Sequence, residues 1–206
     1  IAYCSKTFYS GDLQAIRLNP KSASDVIKFD ILDYEITDED GNYNKKEAQL
    51  IISNLEKLKE KKIKQTVGII TPFHDQQRYL TTQITKHKDK DYFFDDLKLK
   101  IMTFDTCQGE ERQIVFYSMV ATRKKNKLNT IFPVDLSKKD LEEQGDKRAQ
   151  RLNVGFSRVQ ELMHIIVSRP LDQIDGEIGN ALRYIKNLTS KEKLPKRKQL
   201  DPNSPM

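Results

Sequence analysis

Thr66-Val67-Gly68-Ile69-Ile70-Thr71, closed at once by Pro72, is the stretch that decides the fold. It is short, rich in β-branched residues and apolar on both alternating faces, as a strand covered on both sides must be, and such strands belong to parallel sheets. Pro72 suits the first turn of a helix, where its missing N–H costs nothing. Four other runs read the same way: Ile27–Tyr34, Leu99–Phe104, Ile114–Ala121 and Met163–Ser168.

Helical patterns separate these runs. Asn44-Lys45-Lys46-Glu47 has the form of a capping box, in which Asn44 accepts from the Glu47 amide while the Glu47 carboxylate reaches back. Ala48, Ile51, Ile52, Leu55 and Leu58 then repeat at helical spacing. Further helices are expected after Pro72, over about Lys147 to Arg158, and from about Leu171 through Ile185. Strands alternating with helices predict a doubly wound α/β domain. Arg123 to Asp146 lacks periodicity and reads as a long loop, and the stretch beyond Leu188 as a charged linker. The expected layout is one domain over residues 1–188 and a tail over 189–206.

Composition narrows the class. The 206 residues suffice for one well-filled α/β domain, and the 37% that are hydrophobic fall in blocks, as in a folded core. No block approaches a membrane span, and no signal peptide opens the chain, so no membrane partner is expected. Cys4, Cys107, His74, His87 and His164 are scattered without metal-site spacing, which predicts a reducing, cytoplasmic setting and no metal held by this chain. The net charge of +6 suits a polyanionic partner, and equally a lysine-rich background.

Three segments lie where chemistry is expected, each next to a strand and so assigned to the ligand crevice at the carboxyl ends of the sheet. In Thr71-Pro72-Phe73-His74-Asp75-Gln76-Gln77-Arg78, the glutamines and Arg78 fall on the first turns of a helix. In Thr103-Phe104-Asp105-Thr106-Cys107-Gln108-Gly109-Glu110-Glu111, Gly109 permits close backbone approach to a ligand. There Glu111 can accept from ribose hydroxyls, and Thr103 and Thr106 can donate to phosphates. In Arg151-Leu152-Asn153-Val154-Gly155-Phe156-Ser157-Arg158, a helix would put both arginines on one face, two turns apart. Each segment alone also reads as an ordinary polar junction.

Taken in order, the three resemble motifs IV, V and VI of superfamily 1 helicases of the Upf1-like group. Those read strand-Thr-Pro-aromatic-x-x-Gln, Thr-x-Asp-x-x-Gln-Gly-x-Glu and Arg-Leu-Asn-Val-Ala-x-Thr-Arg. Phe8-Tyr9-Ser10-Gly11-Asp12-Leu13 and Asn44-x-x-Glu47-Ala48 are softer matches, and the resemblance spans about residues 5 to 170. It implies a RecA-like three-layer sandwich with a mostly parallel sheet. It further implies the C-terminal motor domain of an ATP-dependent DNA or RNA helicase or translocase, in which Arg158 is the arginine finger. Gln76, Arg78, Gln108, Gly109, Glu111 and Arg151 would lie near the nucleotide. Thr71, Pro72, Phe73, Thr103 and Thr106 would hold single-stranded DNA or RNA. Gly155 and Ser157 depart from the family's alanine and threonine, and Gln77 stands where some relatives carry arginine.

None of the eight glycines is followed by lysine, so the chain has no G-x-x-x-x-G-K-[ST] loop. The resemblance therefore implies that ATP with Mg2+ is bound mainly by an N-terminal RecA-like domain of the same parent, and that this chain alone is inactive. Asp95-Asp96 reads as a charged surface turn. Leu200-Asp201-Pro202-Asn203-Ser204-Pro205-Met206 resembles the opening of a restriction-endonuclease-like (Vsr-type) domain found in some bacterial relatives, or is simply where this chain stops. Two other readings stay open: a non-catalytic nucleic-acid-binding module, and a partner-docking platform built on residues 123–146.

Overall fold

The structure is a computed structural model that describes residues 22–33, 35, 41–122, 127–135 and 147–191. In chain order the elements are α1 (Ala23–Val26), β1 (Ile27–Ile31), α2 (Lys45–Glu60), β2 (Val67–Thr71), α3 (His74–Thr85), β3 (Lys100–Thr103), β4 (Arg112–Ser118), α4 (Lys147–Phe156), β5 (Val159–Val167) and α5 (Gly176–Lys191). Each expected strand is present. The match at Phe8–Leu13, the end of the first strand run at Tyr34, much of the 123–146 stretch and the tail from 192 lie outside the described residues.

The strands form a single sheet in the order β1-β5-β4-β2-β3, and every pair is parallel. β2 is buried at all five positions, which explains why its sequence shows no polar alternation. Two apolar layers lie on opposite faces. On one, Ala48, Ile51 and Leu55 of α2 and Leu80 and Ile84 of α3 meet Val67, Ile69, Ile114 and Phe116. On the other, Leu152 and Phe156 of α4 and Ile178, Leu182 and Ile185 of α5 meet Ile70, Val115, Tyr117 and Ile165. This is a RecA-like three-layer α/β sandwich.

The chain leaves β2 through α3 toward β3 and leaves β4 through α4 toward β5, on opposite faces and in opposite directions along the sheet. The topological switch point therefore falls between β2 and β4, where doubly wound folds open a crevice at the carboxyl ends.

Four local expectations are corrected. The helix read as Lys147 to Arg158 ends at Phe156, so Arg158 has left it. The helix read from Leu171 is broken: a 3-10 turn covers Leu171–Gln173, and α5 starts at Gly176, whose φ of 73° no β-carbon-bearing residue adopts cheaply. β5 begins at Val159, ahead of the expected Met163. Within the stretch read as a loop, residues 127–135 carry a 3-10 turn whose Leu128 enters the core together with Phe132. Asp95 and Asp96 are exposed at the end of a single π-helical turn, Tyr92–Asp96, anchored by the buried Phe93.

Candidate functional site

At the carboxyl edge, the first helix turns and the strand ends are tied by one buried polar network. Asn44 caps α2 by accepting from the Glu47 amide at 2.9 Å, as expected. The reciprocal half of the box is absent. The Asn44 N–H donates instead to Gln76 Oε1 at 2.7 Å, and Gln76 Nε2 donates to Ser118 Oγ at 2.8 Å and to the Asn44 carbonyl at 3.2 Å. That frees the Glu47 carboxylate to point across the sheet. It accepts from Ser118 Oγ at 2.6 Å, from Ser168 Oγ at 2.8 Å, and from the Val120 N–H at 3.0 and 3.1 Å. Asn44 Nδ2 closes the network onto Ser168 at 2.8 Å.

Glu47 is completely buried and has no cationic partner in this network. Burial is the largest influence on it and pushes its carboxyl up to about 7, against the lowering effect of the Ser118, Val120 and Ser168 donors. Val120 has φ of 52°, a conformation that a β-branched residue rarely adopts, and its N–H is the one Glu47 holds. The network is thus bonded to a strained turn.

Around it lie the residues assigned to nucleic acid. Thr71 closes β2 beside Thr103 of β3, and both are buried, as are Pro72 and Phe73. Thr103 and Thr106 hydrogen-bond each other: Thr106 Oγ1 accepts from the Thr103 N–H at 2.9 Å and lies 3.2 Å from its hydroxyl. Among the described residues the Thr71 hydroxyl has no hydrogen-bond partner, and neither has that of Thr122, two residues beyond Val120. Arg78 is exposed on α3, paired with Asp75 at 2.7 Å. Arg151 of α4 pairs with Asp105, just past the end of β3, and donates to the Ile131 carbonyl at 3.2 Å.

The amino edge holds a second group. The chain after Asp105 runs back down the sheet, and Cys107, Gln108, Gly109, Glu110 and Glu111 lead into β4. Gln108, Gly109 and Glu111 are exposed, and Gly109 has φ of 77° with open space where a β-carbon would stand. Glycine is therefore required there by the backbone conformation. Glu110 pairs with Lys100 at 2.5 Å and Arg112 at 3.0 Å, and Glu111 accepts from Gln160 at 3.1 Å.

Arg158 directly precedes β5, and its carbonyl accepts from the Arg112 N–H at 3.1 Å. Its guanidinium folds back onto the end of α4, donating to the Val154 carbonyl at 2.9 Å and Ser157 Oγ at 3.1 Å. Among the described residues no carboxylate pairs with it. Cys107 beside it is buried, and burial pushes its thiol up to about 11 against the lowering effect of the Arg158 charge, so it stays protonated and inert.

All five strands are parallel, so Arg158 and Glu111 stand at the amino ends of β5 and β4, not at the carboxyl ends assigned from sequence. The length of β4 separates them from Gln76. Six rises of about 3.3 Å between Arg112 and Ser118 amount to about 20 Å. The structure brings Gln108, Gly109, Glu111 and Arg158 toward one edge. It brings Thr71, Pro72, Phe73, Gln76, Arg78, Thr103 and Thr106 to the other, with Arg151 between them on α4. Gln76 is buried with both ends of its amide engaged inside the chain. Ser118, Val120 and Ser168 join the site only in the structure; for Glu47 the sequence offers the capping-box pattern at Asn44 and the softer match Asn44-x-x-Glu47-Ala48, neither of which shows where its carboxylate goes.

Elsewhere, Glu56, His87 and Asp89 bring three ligand-type atoms within 4.8 Å of one another. Lys59 already pairs with Asp89, and the Asp89 N–H donates to His87 Nδ1 at 3.1 Å. These contacts, with His87 Nε2 3.2 Å from Glu56, tie α2 to the segment after α3. None of the described helices is long and apolar enough to cross a membrane.

A family model described as an AAA domain matches residues 1–170. No curated protein matches the chain.

Proposed function

We propose, from the premise that this chain belongs to the AAA-domain family, that it is the second RecA-like motor domain of an ATP-dependent superfamily 1, Upf1-like helicase or translocase. That family occurs in the C-terminal regions of such helicases and is associated with helicase and nucleotide-hydrolase activity of the full-length proteins. In this reading each edge of the sheet has its own task.

The amino edge faces nucleotide held by the P-loop domain of the parent. Arg158 brings positive charge to the γ-phosphoryl group as charge develops there, a contribution of about a thousandfold or more in rate. Gly109 lets the backbone of its turn approach closely, and Glu111 accepts from the ribose. Gln108 lies in the same turn. ATP with its Mg2+ is held mainly by the partner domain, and no residue of this chain is assigned to the metal.

The carboxyl edge grips single-stranded DNA or RNA beside the switch point, at the ends of β2 and β3, through Thr71, Pro72, Phe73, Thr103 and Thr106. Gln76, which the resemblance assigns to nucleotide, is better suited to holding this edge together from within. Closing of the two domains on ATP, and their reopening after hydrolysis, would then shift the grip along the strand.

The observation that carries the reading is the state of Arg158. A guanidinium held, among the described residues, by its own helix end and a serine, beside an exposed glycine turn, is positioned to exchange weak internal bonds for a phosphate. A phosphate-release assay on this chain with ATP, Mg2+ and single-stranded DNA is expected to show no turnover; robust hydrolysis would overturn the assignment.

A further inference from the structure

We propose that Glu47 is a positioning residue for the carboxyl edge: its carboxylate holds Val120 in the left-handed conformation and so sets the course of residues 119–122 across the strand-binding crevice. The proposal rests on the reading of that edge as the single-strand grip, but its structural half stands separately.

Three observations support it. First, Glu47 does not perform the local task its sequence suggests. Gln76 takes over the Asn44 N–H, and the carboxylate spans from the first turn of α2 to the ends of β4 and β5. Second, both of its oxygens accept from the N–H of one strained residue, Val120, while Ser118 and Ser168 hold one oxygen each. A valine at positive φ persists only where its surroundings over-determine it, and such strain gathers at sites that must be preorganised. Third, the chain beyond Val120 reaches Thr122, whose buried hydroxyl has no partner among the described residues; it lies four residues past the end of β4, the neighbour of β2, which ends at the equally unpartnered Thr71. A buried hydroxyl without a partner is rare enough to need a reason, and two of them mark this end of the sheet as held in place by Glu47 and not by its own side-chain hydrogen bonds.

The hold depends on charge. A carboxylate accepts from all its partners, whereas the protonated acid must turn one oxygen into a donor and relax its grip on Val120. Because Glu47 titrates at about 7, the grip weakens as pH falls through neutrality. The charged and titratable groups at this end of the packed elements include Lys45 and Lys46 on α2, His74, Asp75 and Arg78 on α3, Asp105 after β3, Arg151 on α4 and Arg169 after β5. His74 is exposed and is common to every variant, so the comparison of wild type with Glu47→Gln isolates Glu47.

The test measures affinity for a labelled oligo-dT by fluorescence anisotropy between pH 6 and 8, together with hydrogen exchange at the Val120 amide. Wild type is expected to lose affinity toward pH 6 relative to Glu47→Gln. The variant is expected to bind roughly tenfold more weakly than wild type at pH 8 and to lack the step, a scale set by one strained residue. Val120→Gly, which adopts positive φ freely, should restore affinity in the Glu47→Gln background and by itself flatten the wild-type profile. The Val120 amide should be protected in wild type at pH 8 and exchange faster in Glu47→Gln. Wild-type-like affinity at every pH, or unchanged Val120 protection, in a folded Glu47→Gln would overturn the proposal. If wild type binds no oligo-dT while Val120 protection still depends on Glu47, the single-strand reading fails and the positioning role stands. If Glu47→Gln does not fold, the Val120→Gly profile decides: a pH step as large as that of wild type refutes the proposal.

Discussion

Replacing Glu47 by glutamine should change how stability depends on pH by an amount that can be worked from the structure. A carboxyl that ordinarily titrates near 4.5 and here titrates at about 7 has lost about 3 kcal/mol of preference for its charged form. The sign follows from proton binding. Between those two values the folded chain binds the proton more tightly than the unfolded chain does. The contribution of Glu47 is therefore most favourable below pH 4.5 and is lost as pH rises through 7. Glutamine cannot titrate, so whatever its altered hydrogen bonds cost is a constant offset. The remaining titrating groups are common to both proteins. Urea unfolding of wild type and Glu47→Gln at half-unit steps from pH 4.5 to 8 should give a difference that moves by about 3 kcal/mol in favour of the variant as pH rises. A difference independent of pH would show that Glu47 is not desolvated as the structure has it, and would also remove the charge dependence of the Val120 hold.

Other outcomes follow from particular contacts. A β-carbon at Gly155 would overlap the Phe104 ring, so Gly155→Ala should lower stability by about 1–3 kcal/mol, seen as a fall in Tm, and Phe104→Leu should recover part of the loss. His164 titrates below its ordinary 6.5 because burial outweighs the raising effect of the Asp30 hydrogen bond at 2.6 Å; Asp30→Asn should lower it further, as read from the imidazole resonances by NMR. Single-stranded DNA binding by this chain should fall steeply with salt, in keeping with phosphate contacts, and a flat salt response would contradict the carboxyl-edge grip.

The sheet was legible because its strands are buried on both faces and carry little besides apolar residues, as β2 shows at all five positions. Periodicity located the helices for the same reason, since Ala48, Ile51 and Leu55 each face the core. What could not be read was decided by partners distant in sequence. Glu47 three residues after Asn44 satisfies the local capping rule, and only Ser118, Val120 and Ser168 reveal that its carboxylate goes elsewhere. β5 starts early because Val159 pairs with Arg112, although Gln160 and Glu161 conceal the strand. Gly176 is the local signal for the break before α5, set within an amphipathic pattern that otherwise runs on from Leu171. The three motifs were recognised by order and spacing, but their distribution over two edges depends on the course of the chain between Asp105 and Glu111. It returns from the end of β3 to the start of β4, a direction that residue types alone do not encode.

The most direct test of the two-edge account is ATP turnover by the intact parent carrying Arg158→Ala, measured beside nucleotide affinity and oligo-dT affinity. The account predicts a fall in turnover of about a thousandfold or more, with nucleotide affinity largely kept and oligo-dT affinity unchanged, because the grip lies about 20 Å away at the other edge. Turnover near that of wild type, or a loss of nucleic-acid binding as large as the loss of turnover, would contradict it.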